Sequence, residues 1–284
     1  MIYAISTHLY HDQRLTRHHF REMAAHGFDA IELFATRTHF DYHDPNTIES
    51  LSGWLKDSGM QLHSVHAPIS ESLVGTRWGA MFSNASRDEA TRALAVQEAA
   101  ASLAIARHIP FRFLVVHLGQ PNSQKPGAHD NCLEAARRSV EELHGVARSL
   151  DVRLALEVIP NTISSAEALV YFIEDELELP DIGICMDFGH GFLMGDLVDA
   201  IETASGYLVT THVHDNNGKR DEHLVPLEGA IDWPAALMAA QKIGYDGALV
   251  MEVANTATPA HVLAGTQRAR RRFEEILESE DGKF

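Results

Sequence analysis

The sequence predicts an α/β protein with a (β/α)8 barrel, and three observations support this fold class. Short apolar runs alternate with longer amphipathic segments eight times along the chain. Acidic and histidine residues stand at or just past the carboxyl end of most of these runs. No linker, low-complexity tract or change of composition divides the sequence, so we expect a single domain over residues 1–284.

The predicted strands are the short apolar runs, and the predicted helices are the longer segments between them. The strands lie at residues 2–6, 29–33, 60–66, 112–117, 153–157, 182–187, 207–213 and 247–252. The helices lie at residues 13–26, 46–58, 86–108, 129–150, 164–176, 196–204, 232–242 and 258–279. Because each strand is followed by a helical crossover, the strands are expected to form a parallel sheet.

Start and stop signals support several helix boundaries. Asp44-Pro45 and Asp232-Trp-Pro234 combine a capping side chain with an early proline, which is typical of a helix start. Gly27, Gly59 and Gly244 lie where helices should end, because glycine adopts the left-handed conformation of a helix terminus at little cost.

Two connections exceed the roughly two to six residues typical of this fold. Residues 67–85 follow the third predicted strand, and residues 215–231 follow the seventh. Both come after the carboxyl end of a strand, where barrel enzymes hold their active sites. We interpret the first loop as a lid or a substrate wall that includes Trp78, with a packed surface loop as the alternative.

Composition and charge narrow the class of protein. With 23 basic and 40 acidic residues the net charge is -17, which disfavours a general electrostatic interaction with nucleic acid. No apolar stretch approaches the roughly 20 residues of a membrane span, and the first residues lack the pattern of a signal peptide. The two cysteines fit reduced thiols better than a disulfide framework. We therefore expect a cytoplasmic protein.

Polar side chains at the ends of the last four strands are the main candidates for a metal site. They are Glu157, Asp187, His212 and Glu252. Carboxylates and an imidazole that converge from successive strand ends can bind a divalent cation. Each residue alone is more often a helix cap or a buried polar group, but four at equivalent positions favour the metal site. His214 is the rival of His212, because strand alternation directs both side chains to the same face.

Three segments carry a resemblance to a known family. They are Cys185-Met-Asp-Phe-Gly-His190, His212-Val-His-Asp-Asn-Asn-Gly-Lys-Arg-Asp-Glu-His223 and Gly229-Ala-Ile-Asp-Trp233. The chain resembles the xylose isomerase-like TIM barrel superfamily, which contains sugar isomerases and epimerases together with endonuclease IV. The resemblance extends over the whole chain and implies dependence on a metal, whereas it says little about the substrate.

Similarity to the ketose 3-epimerase branch implies an isomerase or epimerase that acts on a sugar or sugar phosphate. The four residues at the strand ends would then hold one Zn2+, Mn2+, Co2+ or Mg2+ ion. Glu157 and Glu252 would exchange roles as proton acceptor and donor on opposite faces of the substrate, through an enediolate. His190 would hydrogen-bond a substrate oxygen, with contact to a ligand carboxylate as the alternative.

The chain also resembles endonuclease IV, which uses three zinc ions, at all nine of its metal-binding positions. The additional matching residues are His66, His117, His190, Asp221 and His223. His66 and His117 would join Glu157 at one ion, and the remaining three would hold another. This resemblance therefore leaves open a site with up to three ions. It also leaves open hydrolysis of a phosphate ester as the reaction.

Three features disfavour the endonuclease alternative. The segment after His66 lacks the tyrosine expected for DNA penetration, and the segment after Glu157 lacks a threonine- and glycine-rich turn. The third feature is the acidic net charge. We therefore expect a sugar isomerase or epimerase, with a phosphodiesterase or a dehydratase of a polyol or keto acid as alternatives. A barrel that binds a ligand without chemistry is disfavoured because both glutamates are present.

The remaining candidates are residues expected to contact a small carbohydrate substrate. They are His190, His66, Glu32, Trp78 and Lys219. Glu32 would bind a sugar hydroxyl, with a buried ion pair as the alternative. Lys219 would bind a substrate phosphate, with a solvated turn as the alternative. If the apolar side chains of the first long loop serve a partner subunit instead of a substrate, we expect a homodimer.

Overall fold

A computed structural model describes residues 1–281 of the chain and shows eight parallel strands closed into a barrel. The strands are β1 (Ile2–Ser6), β2 (Ala30–Phe34), β3 (Gln61–His66), β4 (Leu73–Val74), β5 (Arg77–Trp78), β6 (Phe113–Val116), β7 (Arg153–Glu157), β8 (Gly183–Asp187), β9 (Leu208–Val213) and β10 (Ala248–Met251). Strands β4 and β5 form an antiparallel hairpin outside the barrel, and β10 closes the barrel by pairing with β1. The predicted (β/α)8 barrel is confirmed.

Helices cover the outside of the barrel. They are α1 (Arg17–Ala25), α2 (Pro45–Ser58), α3 (Glu89–Leu103), α4 (Leu133–Ser149), α5 (Ala166–Tyr171), α6 (Phe188–Met194), α7 (Leu197–Thr203), α8 (Trp233–Lys242) and α9 (Pro259–Asp281). A π-helical turn extends α5 to Glu176, and a 3-10 turn extends α3 to Arg107. Within residues 1–281, no helix is both long and apolar enough to cross a membrane.

The predicted strand boundaries agree with the structure to within one residue, whereas several helix boundaries differ. Helix α4 begins four residues after its predicted start, because Asn131 has a φ of 52°, which a right-handed helix cannot contain. The capping roles of Asp44 and Asp232 are confirmed, since each side chain accepts a hydrogen bond from a backbone N–H of the first turn. Helix α6 was not predicted.

Apolar side chains fill the space between the strands and the helices, and also the lower levels of the barrel interior. Inside the barrel, two small clusters share the inward faces of strands; they consist of Ala4, Ala30, Ala248 and Val250, and of Phe113, Val115, Ala155 and Cys185. Burial of such surface stabilises the fold by about 25 cal/mol per Å². The inward faces become polar toward the carboxyl ends of the strands, above these two apolar clusters.

Candidate metal centre

The four predicted metal ligands lie together at the carboxyl-terminal mouth of the barrel. They are Glu157 at the end of β7, Asp187 at the end of β8, His212 in β9 and Glu252 directly after β10. One ligand atom of each lies within 4.8 Å of the others, and all four residues are buried. Parallel strands bring these side chains to one level because their carboxyl ends meet at the same edge of the barrel.

The imidazole of His212 lies at the centre of this group. Its Nδ1 atom is 3.3 Å from Glu157 Oε1, 3.4 Å from Glu252 Oε2 and 3.8 Å from Asp187 Oδ2. Its Nε2 atom is 3.0 Å from the carboxylate of Glu32. One ring nitrogen of His212 therefore faces three carboxylates, and the other faces a fourth.

The donor set of this group fits a divalent cation. Three buried carboxylates in an apolar barrel are costly unless positive charge compensates them. Within residues 1–281, the basic side chains that form ion pairs with these three carboxylates are all histidines. Carboxylate oxygens with one imidazole nitrogen suit Zn2+, Mn2+ and Co2+, and the oxygens also suit Mg2+.

Protons on histidines compensate the carboxylates when no cation is bound. Burial would raise the pKa of Glu157, but His117 and His212 hold the pKa of that carboxyl well below its usual value. Burial would lower the pKa of His66, but its hydrogen bond with Glu157 raises that pKa to about 9. A cation that binds here must therefore displace protons from the surrounding histidines.

A second group of candidate ligands shares Glu157 with the first. His66 at the end of β3 and His117 directly after β6 point at the same carboxylate oxygen. The Nε2 atoms of the two histidines lie 3.1 Å and 3.0 Å from Glu157 Oε2. This oxygen faces away from His212, whose Nδ1 contacts Oε1. Glu157 therefore lies between two groups of candidate ligands.

A third group lies on the other side of Asp187, in α6 and in the loop after β9. It contains His190, His214, Asp221 and His223. The Nε2 atoms of His190 and His223 each lie 3.1 Å from Asp221 Oδ2. Burial would raise the pKa of Asp221, but these two histidines hold it well below the usual value. All nine residues that resemble the ligands of endonuclease IV are thus brought together in three adjoining groups.

Both ring nitrogens of His190 are occupied in this structure. Nδ1 lies 3.1 Å from the carbonyl oxygen of Val158 and 3.4 Å from Asp187 Oδ2, and Nε2 contacts Asp221. The backbone N–H of His190 also donates a 2.7 Å hydrogen bond to Asp187 Oδ1, which caps α6. This geometry favours the alternative assignment of His190, as a contact of ligand carboxylates, and its contact with a substrate stays a prediction.

The two rival histidines after strand β9 fall into different groups. His212 lies among the carboxylates of the first group, whereas Nε2 of His214 lies 3.0 Å from Asp187 and its ring stacks 4.0 Å from that of His223. The structure therefore favours His212 for the first group. Strand alternation directs His214 inward, but nothing in the sequence connects it with the third group.

Asp215 organises the long loop that carries Asp221 and His223, and sequence analysis did not identify it. Its carboxylate is fully buried and accepts hydrogen bonds from the indole N–H of Trp233 at 2.8 Å and from the backbone N–H of Leu227 at 2.9 Å. It also accepts backbone hydrogen bonds from residues 216 and 231. No local sequence signal separates this aspartate from the exposed acids near it, because its partners are up to 18 residues away.

Trp78 lies in strand β5 of the hairpin and forms part of an aromatic wall. Its ring stacks on that of His11, with centroids 5.9 Å apart, and meets that of Phe34 edge-on at 6.5 Å. The ring of Phe34 in turn lies 5.0 Å from that of His66. The hairpin thus brings an aromatic side chain close to the second ligand group, which supports the interpretation of the first long loop as a substrate wall.

The two other predicted substrate contacts lie in different surroundings. Glu32 is fully buried, and its carboxylate contacts His212 and the hydroxyl of Ser64; its contact with a sugar hydroxyl stays a prediction. The alternative of a buried ion pair agrees with the structure. Lys219 lies exposed in the loop after β9, and its contact with a substrate phosphate stays a prediction.

The sequence of the chain is similar to those of known proteins over most of its length. The family model described as xylose isomerase-like TIM barrel matches residues 20–276. An uncharacterized protein of Methanocaldococcus jannaschii is 28% identical over 241 residues, which cover 82% of this chain and 78% of that protein. A D-psicose 3-epimerase of Enterocloster bolteae is 30% identical over 122 residues, which cover 41% of this chain and 38% of the epimerase.

The fold is similar to that of a solved structure of a D-tagatose 3-epimerase-like protein. The TM-score is 0.82 at 24% sequence identity, over 99% of this chain and 100% of the other. A likeness at this level of identity shows that the two chains share the barrel and its connections.

Proposed function

We propose, from the premise that this chain belongs to the xylose isomerase-like TIM barrel family, that it is a divalent-cation-dependent isomerase or epimerase of a sugar or sugar phosphate. The observation that carries the proposal is the convergence of three carboxylates and His212 at the mouth of the barrel. Sequence similarity to a D-psicose 3-epimerase and fold similarity to a D-tagatose 3-epimerase-like protein support a ketose as the class of substrate.

The first ligand group would hold the cation. Its members are Glu157, Asp187, His212 and Glu252. A bound Zn2+, Mn2+, Co2+ or Mg2+ ion would polarise a substrate carbonyl and so make the neighbouring C–H more acidic.

Glu157 and Glu252 are the groups that we assign to proton transfer. Strands β8 and β9 lie between the strands that carry them, so the two carboxylates approach the mouth from different sides. Because His117 and His212 hold the pKa of Glu157 well below its usual value, this carboxylate is ionised and can accept a proton from a substrate carbon. Glu252 would donate a proton to the opposite face, which inverts that carbon.

The surrounding side chains would exchange protons with solvent and orient the substrate. The side chain of His117 is 18% exposed and lies 3.0 Å from Glu157 Oε2, so it would carry the accepted proton to water. The aromatic wall of Trp78, His11 and Phe34 would pack against the C–H face of a sugar and exclude water from the reacting carbon.

Proton exchange with solvent tests this proposal. Protein loaded with Mn2+ or Co2+ is incubated with a panel of free and phosphorylated ketoses in deuterated water, and products are followed by NMR. We expect deuterium at the carbon next to the carbonyl, together with the epimer or isomer. Glu157→Gln and Glu252→Gln should abolish exchange, whereas Glu98→Gln, which changes a buried glutamate paired with His43, should not. A folded, cation-loaded protein that exchanges no substrate proton across the panel contradicts the proposal.

A phosphodiesterase that uses several cations is the second candidate function. The observation that favours it is the position of the histidine-rich groups around Glu157 and Asp221, directly beside the first group. Several cations in such groups would activate water and neutralise a phosphodiester.

Cation content separates the two candidates. Elemental analysis of protein purified without chelator, combined with anomalous scattering, gives the number and position of the ions. One ion in the first group supports the epimerase, whereas two or three ions that reach His66 and His223 support the phosphodiesterase. His66→Ala should spare proton exchange in a one-ion enzyme and should eliminate hydrolysis in an enzyme that needs all three groups.

A further inference from the structure

We propose that Glu32 is a positioning residue that holds the imidazole of His212 in the orientation needed to bind a cation. The inference rests on the cation site of the proposed function, and it is independent of the substrate and of the reaction. The Glu32 carboxylate contacts His212 and Ser64, two groups of the barrel interior. It would act through His212.

Glu32 and His212 meet at short distance in the barrel interior. Both oxygens of the Glu32 carboxylate lie 3.0 Å from His212 Nε2, and both residues have no exposed surface. The opposite ring nitrogen, Nδ1, faces the carboxylates of Glu157, Asp187 and Glu252. The imidazole thus bridges Glu32 and the first ligand group.

Ser64 fixes the carboxylate of Glu32 in turn. Its hydroxyl donates a 2.8 Å hydrogen bond to Glu32 Oε2, and strands β2 and β3 pair Glu32 directly with Ser64. The carboxylate is therefore held from two directions, by a hydroxyl of the neighbouring strand and by the ring of His212. Since both partners are buried, these contacts are shielded from bulk water.

The contact between Glu32 and His212 bears on which ring nitrogen of the imidazole carries the proton. A neutral ring carries one N–H and one lone pair, and the partner of one nitrogen decides which nitrogen holds the proton. A carboxylate at Nε2 selects the Nε2–H form, so the lone pair of Nδ1 points at the three carboxylates, where a cation would lie. Strand β2 is otherwise apolar, and a buried carboxylate there is costly unless it has such a partner.

Cation affinity tests the inference without any substrate. Glu32→Gln keeps the shape of the side chain and removes its charge, and we expect it to weaken Co2+ and Zn2+ binding about 10- to 100-fold in chelator competition. The visible absorption of the Co2+-loaded protein should change as well, because that spectrum reports the coordination geometry, which a displaced His212 would alter. Glu98→Gln is the matched control, since Glu98 is also buried and also paired with a histidine, His43, outside the three ligand groups.

A measurement on the unmodified protein covers the case in which Glu32→Gln does not fold. Long-range ¹H–¹⁵N spectra of the Zn2+-loaded protein, assigned with His212→Asn, show which ring nitrogen of His212 carries hydrogen. Hydrogen on Nε2 and Zn2+ at Nδ1 support the inference. Hydrogen on Nδ1 overturns it, and so does a folded Glu32→Gln variant with unchanged affinity and an unchanged Co2+ spectrum. If cation binding depends on Glu32 but no ketose exchanges protons, the proposed function fails while the inference stands.

Discussion

The ring of His214 lies directly against Gly189, so closely that a β-carbon at position 189 would overlap the imidazole. Gly189 is the second residue of α6, and His214 follows strand β9. The missing side chain lets the ring approach the helix and places its Nε2 atom 3.0 Å from Asp187. The position of one histidine of the third ligand group thus depends on the absence of a single methyl group.

Gly189→Ala should displace His214 and destabilise the fold by about 1–3 kcal/mol, the usual cost of overpacking a buried site. The contact between His214 and Asp187 would be lost, and cation binding should weaken. Urea unfolding measures the stability. Gly145→Ala is the control, because Gly145 lies in α4 with open space around it, and alanine favours a helix. Equal stability of Gly189→Ala and the unmodified protein would show that His214 adapts without cost.

Asp215→Ala should destabilise the protein by at least about 2 kcal/mol, because it leaves several buried donors without a partner, including the indole N–H of Trp233. The loop over residues 215–231 should then become more sensitive to proteases. Lys219→Ala changes an exposed residue of the same loop and should leave stability and cleavage unchanged. Limited proteolysis and urea unfolding measure the two effects, and an intact loop in Asp215→Ala would contradict the anchoring role.

Stability should fall as the pH decreases from about 6.5 to about 4. Burial lowers the pKa of His39 to about 4, so the folded protein keeps this side chain neutral where the unfolded chain protonates it. The stabilisation is therefore complete above the unfolded pKa and is lost as the pH falls to the folded one, on the order of 3 kcal/mol for this residue. His39→Gln should flatten the pH dependence of the unfolding free energy, and an unchanged slope would contradict this assignment.

Cation affinity should rise with pH across the neutral range. The hydrogen bond with Glu157 outweighs burial and raises the pKa of His66 to about 9, and neighbouring groups raise the pKa of His212 well above its usual value. These histidines at the mouth of the barrel must therefore release protons when a cation binds. Calorimetry in buffers of different ionisation enthalpy measures this release. Binding without proton release, at equal affinity at pH 6 and 8, would show that the histidines are already neutral.

The barrel strands and the polar residues at their ends could be predicted because their signals are local. A strand such as β7 is a short apolar run that ends in Glu157, and both features stand in the sequence itself. Helix α6 was missed because Gly189 and Gly191 disfavour a helix, and its start depends on the cap that Asp187 supplies.

Contacts between distant strands could not be predicted in the same way. Glu32 and His212 lie 180 residues apart, and only the closed barrel brings them together. From the sequence, contact with a sugar hydroxyl and a buried ion pair were therefore both open for Glu32, since a polar residue in a strand does not reveal how deeply it is buried. Asp215 was missed for the same reason, because its role depends on Trp233 and other partners beyond its own turn.

The two carboxylate oxygens of Glu157 contact different neighbours: Oε1 contacts His212, and Oε2 contacts His66 and His117. Each side of this carboxylate therefore has an oxygen of its own for its neighbouring residues. Replacement of the two histidines at the ends of β3 and β6 would remove one ligand group and leave the other complete. If the proposed ions bind here, a barrel built around such a divided carboxylate would need few substitutions to gain or lose one of them, which would shorten the evolutionary route between carbon-acid and phosphate chemistry.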